Sequence, residues 1–108
     1  MVTVMVVVCT KPGSLRQQIT NDPKLGDFML RVIESKNPIR HQGWAKLHST
    51  ENERRGAINM VWDAKTKILS CRVVNRGSGR PHLNVGDFVD HLLARFCGRI
   101  NAIQIIPQ

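Results

Sequence analysis

Two short segments gather glycine, serine and cationic side chains: Lys11-Pro12-Gly13-Ser14 and Arg76-Gly77-Ser78-Gly79-Arg80. Glycine lets a backbone approach a ligand closely, and free N–H groups at a helix start attract anions. Each segment follows an apolar run. If the two strands leading into them run parallel, both loops lie at one end of a sheet and form one basic site with Arg16 and His82. The plainer alternative is a pair of connectors whose glycines serve turn geometry. Neither the P-loop pattern nor the dinucleotide glycine pattern occurs, so no nucleotide cofactor is implied.

The remaining reactive side chains point less clearly to chemistry. The stretch from Cys9 to Arg16 resembles the phosphate loop of cysteine phosphatases. It holds one residue too many, however, and Leu15 stands where the arginine should be, so Cys9 is read as a buried structural thiol. His41, His48, His82 and His91 show no metal-ligand spacing and no paired cysteine pattern, so no metal and no cofactor are expected. His91 is placed on the polar side of a helix beside Asp87. A second cationic set is Trp44, Lys46 and His48, alternating along one strand, with Arg72 on a neighbouring strand. Such a sheet face suits stacked bases and phosphates. Against that, Trp44 serves equally well at a core edge or a subunit contact.

The whole composition favours an anionic partner. Sixteen Lys and Arg against eight Asp and Glu leave a net charge of +8 in 108 residues. Phosphate contacts release counterions, so such an excess suits nucleic acid or another polyanion, although a merely soluble basic surface has the same composition. The cations are scattered from Lys11 to Arg99 with no run of four, which excludes a basic tail and leaves a folded patch. Three widely spaced cysteines without a paired motif suit a reducing compartment. The apolar opening lacks the features of a leader and is too short to span a bilayer, so a cytoplasmic protein without membrane contact is expected.

These residues need elements to hold them, and the apolar pattern supplies a reading. Val2 to Val8 is an unbroken run of apolar or β-branched residues, the mark of a central strand covered on both faces. A short helical turn falls around 14–19. Asp22-Pro23 then reads as an N-cap with proline at the first helical position, followed by Leu25, Phe28, Met29, Val32 and Ile33 at helical spacing. A first main helix over 23–36 follows, ended at Asn37-Pro38. Strands are expected at 43–49, 57–62 and 68–75, the last two a hairpin across 63–67 with Ile58, Met60, Trp62, Leu69, Cys71 and Val73 inward. Asn84 with Asp87 reads as a cap for a second helix, whose stripe is Val85, Phe88, Val89, Leu92, Leu93 and Phe96, with Gly98 as the stop. A last strand covers 100–106. Leu25-Gly26-Asp27-Phe28 and Val85-Gly86-Asp87-Phe88 look alike, which is read as two helices obeying the same capping rules rather than a repeat.

The expected architecture is thus one α+β domain over 1–108, a two-layer sandwich of β-α-β-β-β-α-β order. About five mixed or antiparallel strands carry two main helices on one face, in a ferredoxin-like or related split β-α-β arrangement. Helices on one face leave the apolar first strand half-covered, which suggests that a homodimer or a partner covers its other side.

Two resemblances bear on function. The inner α-β-β-β-α order, with a basic glycine-rich loop before the last helix, resembles a double-stranded-RNA-binding domain, though Asn84-Val85-Gly86-Asp87 departs from that family's lysine cluster. The strand, helices and three-stranded meander in a small basic chain also resemble ribosome-dependent RNase toxins of the RelE type, whose arginine-rich strand motif is missing. The leading expectation is a non-enzymatic binding module for an anionic partner, foremost nucleic acid, using Lys11, Arg16, Trp44, Lys46, Arg76, Arg80 and His82. The alternatives are a protein-interaction or self-assembly domain and a RelE-like RNA-cleaving toxin.

Overall fold

The computed structural model describes residues 2–33, 44–50, 56–75 and 82–107. The described residues form one sheet of six strands with helical elements packed against one side. The strands are β1 Val2–Cys9, β2 Leu30–Ile33, β3 Trp44–Ser49, β4 Gly56–Asp63, β5 Ile68–Asn75 and β6 Ile100–Pro107; the helices are α1 Leu15–Thr20 and α2 His82–Phe96. The sheet order is β2-β3-β4-β5-β1-β6, and every neighbouring pair is antiparallel.

Because β5 and β6 both run opposite to β1 and flank it, they are parallel to each other and joined through α2. That is a split β-α-β unit with β1 inserted. The β2–β5 half is a plain antiparallel meander.

The expected five strands become six because the predicted helix over 23–36 does not form. Its place is taken by a 3-10 turn at Leu25–Phe28, a left-handed Met29 (φ 64°) and strand β2. The helical spacing was real, but Val32 and Ile33 are β-branched, and their stiff side chains suit a pleated surface. The pairing of Leu30 with Ser49 and of Val32 with Leu47 secures the strand. Leu30, absent from the helical stripe, is buried together with Leu25. The stretch 34–38, with Asn37-Pro38, lies outside the described residues. Four strands between the two helices also replace the three that carried the likeness to a double-stranded-RNA-binding domain. The paired tetrapeptides diverge as well, one a 3-10 turn and the other a stretch of α-helix.

The core lies between the sheet and the helices. Alternation turns Met5, Val7 and Cys9 of β1, Ile58, Met60 and Trp62 of β4, and Leu69, Cys71 and Val73 of β5 to one side, where they meet Leu15, Ile19, Val85, Phe88 and Leu92. The hairpin faces match the sequence pattern. On the other side of the sheet no described helix packs, and Val4, Val6 and Val8 are half-buried by their neighbours within the sheet. Among the described residues, the cover expected on both faces of β1 is therefore supplied on one face only.

Helix α2 begins at His82, two residues before the expected cap, so Asn84 lies inside its first turn, nearly fully buried. It packs where the helix crosses the start of β4. A Cβ added to Gly56 would collide with the Val74 carbonyl oxygen and with Nδ2 of Asn84. The first of these is backbone and cannot swing aside. Gly56→Ala is therefore expected to cost about 1–3 kcal/mol by overpacking, read as a lower urea midpoint. Gly13→Ala, whose Cβ meets nothing within 4 Å, should leave the midpoint almost unchanged.

Candidate functional site

The antiparallel pairing of β1 with β5 settles where the two basic loops stand. The chain leaves β1 at the end of the sheet where β5 begins, since Val8 pairs with Ile68, and it leaves β5 beside Val2. The segment after Cys9 and the start of α2 thus lie at opposite ends, and the single site conditional on parallel strands is not formed. Lys11 is exposed at one end and His82 at the other. Arg76 and Arg80 lie outside the described residues.

At the first end, the loop's own backbone is occupied from within. Arg99 donates through Nη1 to Oε1 of Gln18 (2.7 Å) and through Nη2 to the carbonyls of Lys11 (3.1 Å) and Gly13. Trp62 Nε1 donates to the carbonyl of Pro12 (3.2 Å), and the Arg99 guanidinium sits 5.9 Å from the Trp62 ring centre. At the helix start, Ser14 Oγ accepts from the Gln17 N–H (3.0 Å). Three consecutive carbonyls turned toward Arg99 and Trp62 make this a stapled turn. Gly13 has no left-handed φ there. Arg16 is half-buried, and its Nε is buried without a hydrogen-bond partner among the described residues.

Beside this turn runs a groove of about 520 Å³ between α1 and the end of α2, lined by Ser14, Gln17, Asn21, Asp22, Arg95 and Phe96 among others. Its floor is a buried polar cluster. Asp22 Oδ1 accepts from the Lys24 N–H (3.0 Å) and from Arg95 Nη2 (3.1 Å); Oδ2 accepts from Arg95 Nε (3.0 Å) and His91 Nε2 (2.9 Å). Asp22 thus closes a turn onto Lys24 instead of capping a long helix.

Burial by itself would raise the Asp22 carboxyl. The Arg95 hydrogen bonds, the Lys24 N–H and His91 together outweigh it and hold the pKa at about 2. His91 is fully buried, and burial pushes its pKa below the usual histidine value against the pull of Asp22. Arg95 supplies the balancing charge, so His91 sits there as a neutral donor. Phe28 and Phe96 meet its ring edge-on at 5.1 and 5.5 Å.

This corrects the placement of His91 on a polar surface beside Asp87. It lies three residues after Phe88 on the buried side of α2, with Arg95 one turn on, and together they fasten α2 to the turn after α1. The sequence signal was this i, i+4 pair of basic donors next to the apolar stripe, together with a lone Asp-Pro on a distant segment. Nδ1 of His91 is buried without a partner among the described residues, while Nε2 is spent on Asp22, so the cluster ties α2 to the turn after α1. Burial likewise raises the Cys9 thiol, the nearby Arg99 charge only partly opposing it, which suits an inert buried sulfur. Among the described residues no three His, Cys, Asp or Glu side chains converge to hold a metal.

The sheet face on which no described helix packs carries the other cationic set. Register places Lys46 opposite Asn59 and Asn59 opposite Arg72, one straight row across three strands, continued by Val4 and Ile106. In the next row Arg31 stands opposite His48, and His48 opposite Ala57. Trp44 begins β3 opposite Val61. The strand spacing puts Lys46 and Arg72 about 10 Å apart at the backbone. Among the described strand residues only Asp63 is acidic, and it stands at the turn end of β4. No side-chain hydrogen bond or ion pair to another described residue engages Arg31, Lys46 or Arg72. Of the predicted site residues, the structure therefore brings together Lys46 and the position of Trp44, adds Arg31, and leaves Lys11, Arg16 and His82 elsewhere.

Compared with known proteins, the chain matches no family model, no curated protein and no solved structure. Among the described residues no helix is long and apolar enough to cross a membrane.

Proposed function

We propose that this chain is a non-catalytic binding module whose uncovered sheet face holds a single-stranded nucleic acid. The observation that carries the reading is the Lys46–Asn59–Arg72 row with Arg31 in the next row, on a face where no described helix packs and where Val4 continues the row. The cations neutralise phosphates along a strand's backbone, Asn59 offers both a donor and an acceptor to a base edge, and the apolar valine ridge receives base faces. A flat sheet suits unstacked bases better than a duplex, which takes an element inserted into a groove. Lys11, at one end of the molecule, extends the positive field without belonging to this row, and His82 stands at the other end.

The test is binding of labelled single-stranded and double-stranded oligonucleotides at two salt concentrations, with the same samples checked for cleavage. Replacing Arg31, Lys46 and Arg72 together by alanine should weaken single-strand binding at least tenfold at low salt. It should also lower the slope of log affinity against log salt by about 2, the share of three phosphate contacts on a single strand. All three side chains lie on the uncovered face, so thermal stability should hardly change. Unaltered affinity in that variant would remove the face from the site. Cut RNA would instead turn attention to a nuclease.

A further inference from the structure

Strand β6 ends the sheet on one side, and its chemistry is unusual for an edge. Exposed edges are ordinarily blunted by charge, by shortness or by cover, because their unpaired backbone groups invite another strand. Here eight residues, Ile100-Asn101-Ala102-Ile103-Gln104-Ile105-Ile106-Pro107, carry no charge in a chain of net +8, and Ile105 is 45% exposed.

The direction of the free backbone groups follows from β1. Cys9 donates its N–H toward β5, to the Lys67 carbonyl, so by antiparallel alternation the odd residues of β1 bond β5 and the even ones bond β6. Val4, Val6 and Val8 pair with Ile106, Gln104 and Ala102, which turns the N–H and C=O groups of Asn101, Ile103 and Ile105 outward. Pro107, without an N–H, ends this outward row.

From this geometry we infer that the chain forms a two-fold dimer by pairing β6 with β6 of a second copy, making one sheet of twelve strands. A second copy is the occupant because the edge is complementary to itself. Antiparallel pairing about a two-fold axis at Gln104 keeps each face in phase, as the period of two requires. It sets Ile103 against Ile105 of the partner subunit, and Ala102 against Ile106 of the partner subunit. Gln104 meets its own counterpart, amide to amide. β6 is also an uncharged stretch where two +8 chains can approach without close cation pairs.

The helix layer agrees. Leu93, 48% exposed, lies on the flank of α2 turned away from His91 and Asp22. α1 covers β3 and β4, so that flank faces the β6 side of the sheet. Stable pairs bury roughly 800 Å² per partner, so the strand pairing calls for apolar helix surface beside it, and exposed Leu93 offers some. The dimer does not depend on nucleic-acid binding, though it would join two cationic faces into one.

Sedimentation equilibrium of the full chain should give twice the chain mass at micromolar concentration. Ile105→Lys should weaken the dimer at least tenfold, while Val61→Lys, on the open face, should not. Gln104→Cys in a Cys97→Ser background should link two chains rapidly under mild oxidation, because directly opposed residues there stand within disulfide reach. Val61→Cys in the same background should not. A monomer at high micromolar concentration would overturn the inference. So would a dimer that survives Ile105→Lys and resists cross-linking at residue 104, since that dimer uses another surface.

Discussion

Replacing Asp22 by alanine should lower the melting temperature by roughly 10–20 °C, a loss of about 3 kcal/mol for a chain of this size. The carboxylate is almost wholly buried and accepts four hydrogen bonds, from Lys24, His91 and twice from Arg95. Without it, the buried His91 N–H loses its acceptor, and that desolvated donor carries most of the cost. Arg95 reaches solvent with its head and adds less. Asp22→Asn keeps an acceptor for the Lys24 N–H, so its loss should be smaller than that of alanine. Thermal unfolding of the two variants checks the order. Equal melting temperatures for wild type and Asp22→Ala would mean that the cluster does not fasten α2 to the turn before β2.

That cluster also shows what the sequence could and could not reveal. The hairpin faces, the strand at 68–75, the last strand and the stripe of α2, apart from exposed Leu93 and buried His91, were legible because a local period of two or of 3.6 residues decides them. The segment 23–33 was not, since Leu25, Phe28, Met29, Val32 and Ile33 satisfy a helical period while the strand pairing that overrules it lies in β3. No local pattern reports a partner strand. The Asp22 cluster joins residues 69 and 73 positions apart, so Asp22 and His91 each had an ordinary local explanation, a cap and a surface histidine, and nothing local singled out Arg95. The open cationic face was half-legible. Lys46 and Arg72 fall on alternating positions of their strands, whereas Arg31 stood inside a stretch read as helix. That Lys46, Asn59 and Arg72 form one row needed the register, and the opposite placement of the two basic loops needed strand direction.

Acidification should weaken the protein in two steps, and the signs follow from the two depressed pKa values of the cluster. Folded His91 resists protonation, whereas in the unfolded chain it takes up a proton near its usual value of about 6.5. As pH falls below that value the unfolded state binds more protons, and stability declines until the folded pKa is reached. Asp22 repeats the pattern lower down. Its contribution is complete above about 4, the unfolded carboxyl value, and is lost as pH falls toward about 2. Urea unfolding between pH 7.5 and 2.5 should therefore show one decline beginning near pH 6.5 and a second below pH 4. Replacing His91 by phenylalanine, which cannot titrate, should abolish the upper decline while lowering stability at pH 7.5, because Asp22 loses a donor. The lower decline should persist, since Arg95 and the Lys24 N–H still hold the carboxylate. An upper decline unchanged in His91→Phe would assign it to another histidine and leave His91 without that role.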